Sequence, residues 1–207
     1  MITDVAAIYV DGRGSYPGTV AHWWDIKRDA RTYDLDLPVV AHPPCQRWCR
    51  LAGLVEARWG HKRGDDGGTF AHALATLRNV GGVLEHPAYS DAWAAHGLPR
   101  PPTGGAWVPG THACEWTCYV EQWRYGHAAK KATWLYYVGL QRPFDLRFGL
   151  VPGHRSKALV SWCGNHTKQG DTRPRLGKKA AIATPPEFRE TLIALARLAR
   201  SDPSVLP

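Results

Sequence analysis

The sequence predicts an α/β domain with a largely parallel sheet, and three observations point there. Two short, unbroken apolar runs, "PVVAH" (38–42) and "GGVLEHP" (81–87), have the length and composition of strands buried on both faces. Segments of helical periodicity alternate with such runs. Both runs stop at proline, in "AHPPC" and "EHP", and sheets of this kind place their chemistry at the carboxyl ends of strands. With 207 residues the chain is long enough for one domain, 1–207, with a sizeable core.

The elements follow in order. "VAAIYV" (5–10) reads as the first strand, with the turn-rich "DGRGSYPG" after it, and "VAHWWD" (20–25) as the second. "PVVAH" is the third. "GGTFAHALATLRNVGG" (67–82) sets Phe70, Leu74 and Leu77 at helical spacing with Gly beyond its end, so it is predicted to be a helix. "GGVLEHP" is a further buried strand. "TCYVEQW" (117–123) and "KATWLYYVG" (131–139) are β-branched and aromatic, hence strands, and "KALVSWC" (157–163) is a weaker one. "PPEFRETLIALARLAR" (185–200) opens with Pro at a helix N-terminus and carries Phe188, Leu192, Leu195 and Leu198 on one side.

Composition narrows the function classes. Hydrophobic content of 44% and charged content of 21% suit a soluble globular protein. No apolar run approaches the roughly 20 residues of a membrane helix, and no basic-then-apolar leader is visible, so a cytoplasmic location is expected. The net charge of +8 suggests a polyanionic partner, and its distribution says more. Between His154 and Lys179 lie Arg155, Lys157, Lys168, Arg173, Arg175, Lys178 and Lys179, with His166 and one acid, Asp171. That excess predicts a phosphate-facing surface over about residues 141–180. The cysteine count, five, is odd, and free thiols are the simplest reading. Cys45/Cys49 and Cys114/Cys118 share one spacing, so a zinc-stabilised module is an alternative.

A thiol and a carboxylate that follow buried strands, Cys45 and Glu85, look like a site. A thiolate attacks an electrophilic ring carbon such as C6 of a pyrimidine, which makes C5 nucleophilic. A protonated carboxyl at N3 polarises the ring for that attack. In a pocket that accepts an extruded base, Cys plus Glu is the minimum for substitution at C5 of cytosine.

These residues resemble a family. "AHPPCQ" resembles the catalytic Pro-Pro-Cys-Gln loop of DNA (cytosine-5) methyltransferases, and "LEHP" stands where that family has Glu-Asn-Val. "YGHAAKKATWLYYVG" (125–139) and "GKKAAIATPPEFRETLIALA" (177–196) are similar to its later segments, in the same order. The resemblance covers under half of the chain and is to a short, divergent member of a kind often encoded by phages. It implies a single Rossmann-like domain, with a small basic insertion in place of a target-recognition domain. It implies Cys45 as nucleophile, Glu85 as the N3 acid, and Lys130 and Lys131 near arginine positions that contact the base and hold the site. Gln46 and Arg47 would lie near the DNA backbone, with Arg155, Lys157, Arg173, Arg175, Lys178 and Lys179 as further DNA contacts. Pro43 and Pro44 would hold the backbone rigid so that Cys45 is presented to the base. S-adenosylmethionine is the implied methyl donor, with Gly12, Gly14, Asp25 and Asp29 toward it.

The chain departs from the family at the donor. "DGRGSYPGTVAHWWD" is no clean match to the Phe-x-Gly-x-Gly loop and leaves no room for the usual first helix. His86 replaces the Asn of Glu-Asn-Val. Weak donor binding is therefore expected. Cytosine-5 methylation of DNA leads. A pyrimidine-modifying or base-releasing enzyme without S-adenosylmethionine, and a noncatalytic DNA-binding relative, are the alternatives. Among the aromatic residues, Trp48 and Trp123 are candidates to stack on a base, against a core role. For His127 a structural hydrogen-bonded role is weighed against a proton shuttle.

Overall fold

The computed structural model describes residues 4–49, 51–160 and 171–200. Its centre is a seven-stranded sheet. The strands are β1 (Ala6–Ile8), β2 (His22–Trp24), β3 (Val39–Ala41), β4 (Gly82–Pro87), β5 (Val108–Pro109), β6 (Glu115–Glu121) and β7 (Ala132–Val138), in the order β2-β1-β3-β4-β7-β6-β5. β2, β1, β3 and β4 are mutually parallel. β7 runs antiparallel to both β4 and β6, and β5 is antiparallel to β6. The expected sheet is thus mixed. A short 3₁₀ turn (Gln122–Tyr125) and a few further residues join β6 to β7, too little chain for the crossover that a parallel pair needs.

Side chains alternate across the sheet and build two cores. Ala7, Val40, Val83, Leu135 and Tyr137 face α5 (Pro186–Leu198), which buries Phe188, Leu192, Ile193 and Leu195 against them. Ala6, Ile8, Val39, Ala41, Leu84 and Tyr136 face α2 (Thr69–Val80), which buries Phe70, Leu74 and Leu77. Both helices match the sequence periodicity. α1 (Ala52–Trp59), α3 (Asp91–Ala95) and α4 (Lys178–Ile182) were not predicted, being short or weakly amphipathic. At Gly82 the backbone has φ +133, and a Cβ there would fall on the Val39 carbonyl oxygen, so only glycine allows β3 and β4 to pair at this point.

Residues 141–158 carry no regular element, and they are not a separate lobe. Leu146 and Phe148 pack on the α5-side core. The Phe144 carbonyl accepts from Trp107 Nε1 at 2.9 Å. Within "KALVSWC" the strand is β8 (Leu159–Val160), which pairs with β9 (Arg175–Leu176) rather than with the main sheet. The rest of that segment, with His166 and Lys168, lies outside the described residues. No helix among the described residues is long and apolar enough to cross a membrane.

Candidate active site

The chain leaves β1 toward β2 on one side of the sheet and returns to β3 on the other. Such a reversal opens a crevice at the carboxyl ends of the strands, the usual ligand site of open α/β sheets. Cys45 and Glu85 both lie at that end. β3 stops at Ala41 because two prolines follow closely and supply no ladder N–H. Pro43 is buried and Pro44 exposed, and Cys45 begins a tight turn, its carbonyl accepting from Trp48 N at 3.0 Å and Cys49 N at 2.9 Å. The thiol is half-buried. Burial, then the neighbouring Glu85 carboxylate, pushes its pKa up to about 11. In the free protein Cys45 is a protonated thiol, and it needs a proton acceptor at the moment of attack.

Glu85 is buried, and both its oxygens are engaged. Oε2 accepts from His42 Nδ1 at 3.0 Å, and His42 Nε2 meets the Tyr16 hydroxyl at 2.7 Å. Because a carboxylate only accepts, Nδ1 carries the hydrogen and, in a neutral ring, Nε2 accepts from Tyr16. Oε1 accepts from Gln122 Nε2 at 3.0 Å, and Gln122 also donates to Thr133 Oγ1 at 2.9 Å. Burial raises the pKa of Glu85, but the His42 hydrogen bond and the Lys131 charge outweigh it and bring it down to about 2. Glu85 is therefore an oriented carboxylate, where the sequence suggested a carboxylic acid. His42, Tyr16, Gln122 and Thr133 were not singled out from sequence. His42 stood inside the quoted "AHPPCQ", but the others are distant in the chain.

Lys131 sits at the start of β7 with φ 39, a strained left-handed backbone. Its ammonium lies near enough to interact with both Cys45 and Glu85, and burial lowers its pKa despite them. Its hydrogen bonds go to the Ile182 and Ala183 carbonyls, at 2.9 and 2.8 Å. Lys131 thus ties the α4–α5 loop to the site and acts on the thiol through its field. Lys130 pairs with Glu121 at 2.7 Å. His86 is wholly buried between Phe70 and Trp93, and burial lowers its pKa to about 4. Neither ring nitrogen has a partner at hydrogen-bonding geometry, although the Pro44 carbonyl is close enough to interact.

Gln46 is exposed and Arg47 half-buried on the Cys45 turn. In the basic stretch, Lys157, Lys178 and Lys179 are exposed. Arg173 and Arg155 are instead ion-paired to Asp171, at 2.6 and 3.0 Å, and Arg173 also donates to Ser156, so Arg173 is an internal strut. Arg175 lies in β9. Trp48 belongs to the core: its indole N–H donates to Asp66 at 2.8 Å and its ring packs on Phe70 and His96. Trp123 is half-exposed, stacked on His154 at 3.4 Å between ring centres. His127 is structural, accepting from Ala129 N at 3.1 Å and donating from Nε2 to Ala180 O at 3.1 Å.

Asp25 does stand at the end of β2. Its carboxylate accepts from Lys27 N and Arg28 N and is held below the ordinary carboxylate range by those two bonds. A Cβ on Gly12 would collide with this carboxylate, and Gly14 N donates to Asp11 O at 2.8 Å. Asp29 caps a 3₁₀ turn (Ala30–Thr32) and pairs with Arg31 at 2.6 Å. Gly12 packs on Asp25, Gly14 on Asp11 and Asp29 on Arg31, so these residues do not fit as an open cradle for S-adenosylmethionine. No helix lies between β1 and β2 among the described residues.

Among the described residues no group of three or more His, Cys, Asp or Glu is placed to hold a metal ion. Cys118 is buried within β6, on the α5-side core. No family model, curated protein or solved structure matches the chain.

Proposed function

We propose that this protein modifies a pyrimidine base, cytosine in DNA, through a covalent bond between Cys45 and ring carbon C6. The observation that carries the reading is the convergence of Cys45, Glu85 and Lys131 at the carboxyl ends of β3 and β4 and the start of β7. The bonding balances as follows. Cys45 Sγ bonds to C6, the C5–C6 π pair moves into the ring toward C5 and N3, and the thiol proton passes by way of the Glu85 carboxylate to N3. Lys131 stabilises negative charge on sulfur as it develops. His42, backed by Tyr16, keeps Glu85 ionised and aimed. After a one-carbon electrophile bonds to C5, loss of the C5 proton, expulsion of Sγ and return of the N3 proton to Glu85 restore the ring. A Rossmann-like relationship and methyl transfer at C5 follow from the family resemblance.

The closed Gly12–Asp25 contact favours a second reading, pyrimidine chemistry at the same thiol without S-adenosylmethionine. The test common to both is trapping on an oligonucleotide that carries 2-pyrimidinone in place of cytosine, a more electrophilic ring whose C6 takes up a thiol without a donor at C5. A denaturation-resistant adduct that is lost in Cys45→Ser and kept in Cys49→Ser is the expected result. Absence of any adduct with the wild type, under conditions where it binds the oligonucleotide, refutes covalent attack.

A further inference from the structure

Beside the Cys45 turn lies a shallow, open cleft of about 460 Å³ lined by Arg63, Tyr89, Asp91 and Arg100. None of these residues is used in the chemistry above. Two backbone bonds join the cleft to the turn: Asp91 N donates to Trp48 O at 3.0 Å, and Gly64 N to Arg47 O at 2.9 Å. Tyr89 follows Glu85 by four residues, two beyond the end of β4.

The walls are chemically paired. Tyr89 is held at φ 66, a conformation that a non-glycine residue adopts at a cost and that recurs at ligand sites. It leaves the ring half-buried against Trp134, 5.4 Å between ring centres. The Arg100 guanidinium lies 5.2 Å from the Tyr89 ring centre and 5.7 Å from that of Trp134. Among the described residues Arg100 makes no ion pair, and its guanidinium lies against these two rings. Across the cleft, Asp91 orients Arg63 through Nε at 3.0 Å and Nη2 at 2.6 Å.

We propose that this cleft binds the nucleotide flanking the target base, with its phosphate at Arg100 and its base against Tyr89. The term "flanking" rests on the pyrimidine reading, because it takes the target to lie at Cys45. The chemistry favours a nucleotide over an acidic peptide: guanidinium groups match phosphate oxygens, and a partly exposed aromatic ring offers the face on which any base stacks.

The test is fluorescence anisotropy of a short labelled single-stranded oligodeoxynucleotide titrated with the full chain at several salt concentrations. Arg100→Ala is expected to weaken binding about tenfold and to reduce the logarithmic salt slope by about 0.7, the value for one lost contact to single-stranded phosphate. Tyr89→Ala is expected to weaken it about tenfold with the slope unchanged, and Tyr89→Phe to bind like wild type. Lys62→Ala, one residue outside the cleft, controls for loss of general charge. Equal losses in Lys62→Ala and Arg100→Ala, an unchanged slope in Arg100→Ala, or no binding by the wild type overturns the proposal. Far-ultraviolet circular dichroism on each variant separates lost contacts from lost fold. Arg100-dependent binding without 2-pyrimidinone trapping would refute the covalent reading and leave the cleft standing.

Discussion

Glu85→Gln isolates the electrostatics of the site. The carboxylate is buried, its oxygens accept from His42 and Gln122, and its pKa is about 2 in the folded protein against an ordinary 4.5. Because the folded value is depressed, ionised Glu85 stabilises the fold. That contribution is fully present above the unfolded value and is lost as pH falls through the folded one. At 1.36 kcal/mol per pKa unit, the drop from 4.5 to about 2 corresponds to about 3 kcal/mol at pH 7. The same linkage leaves roughly 1 kcal/mol at pH 3. Glutamine keeps the shape and still accepts from Gln122, so the difference between the two proteins follows the charge. Urea unfolding, followed by fluorescence of the 10 tryptophans, measures both at pH 7, 5 and 3. The expected result is a destabilisation of about 2 to 3 kcal/mol at pH 7 that shrinks by more than half at pH 3. An equal loss at both pH values would show that Glu85 is not held as a carboxylate, and the reasoning about His42 would fall with it.

Further outcomes follow from other parts of the molecule. Cys45 should alkylate slowly at neutral pH, with a rate that keeps climbing toward its pKa of about 11, as peptide mapping after iodoacetamide would show; a plateau near pH 8 would contradict the buried, Glu85-facing thiol. Gly82→Ala should cost more than about 3 kcal/mol, enough to remove the cooperative thermal transition, since the added carbon meets the Val39 carbonyl in the central strand pair; a melting point near wild type would refute this. Arg173→Ala should lower thermal stability by breaking its ties to Asp171 and Ser156. Lys178→Ala with Lys179→Ala should leave stability within about 0.5 kcal/mol and flatten the salt dependence of DNA binding; the opposite pattern in melts and titrations would reverse the roles assigned to these residues.

Much was legible in the sequence because burial and periodicity are local properties. The runs of Val39–Ala41 and Gly82–Pro87, the 3.6-residue spacing of Phe70, Leu74 and Leu77, and Pro186 at a helix start each announce their element without help from the rest of the chain. The prolines after β3 likewise mark where a strand must end and where Cys45 is presented. Tertiary structure decided what depends on distant residues meeting. The reversed direction of β7 depends on which strands it pairs with, and its residues do not encode that. The ionisation of Glu85 depends on His42, Lys131 and Gln122 arriving from three other segments, so a residue that reads as an acid in sequence stands as a carboxylate in the fold. Arg173 looks like a phosphate contact until Asp171 is seen to hold it, and Trp48 like a stacking surface until Asp66, Phe70 and His96 enclose it. Charge and aromaticity are written in the sequence. Whether they face a ligand or one another is set by which side chains the fold brings within hydrogen-bonding distance.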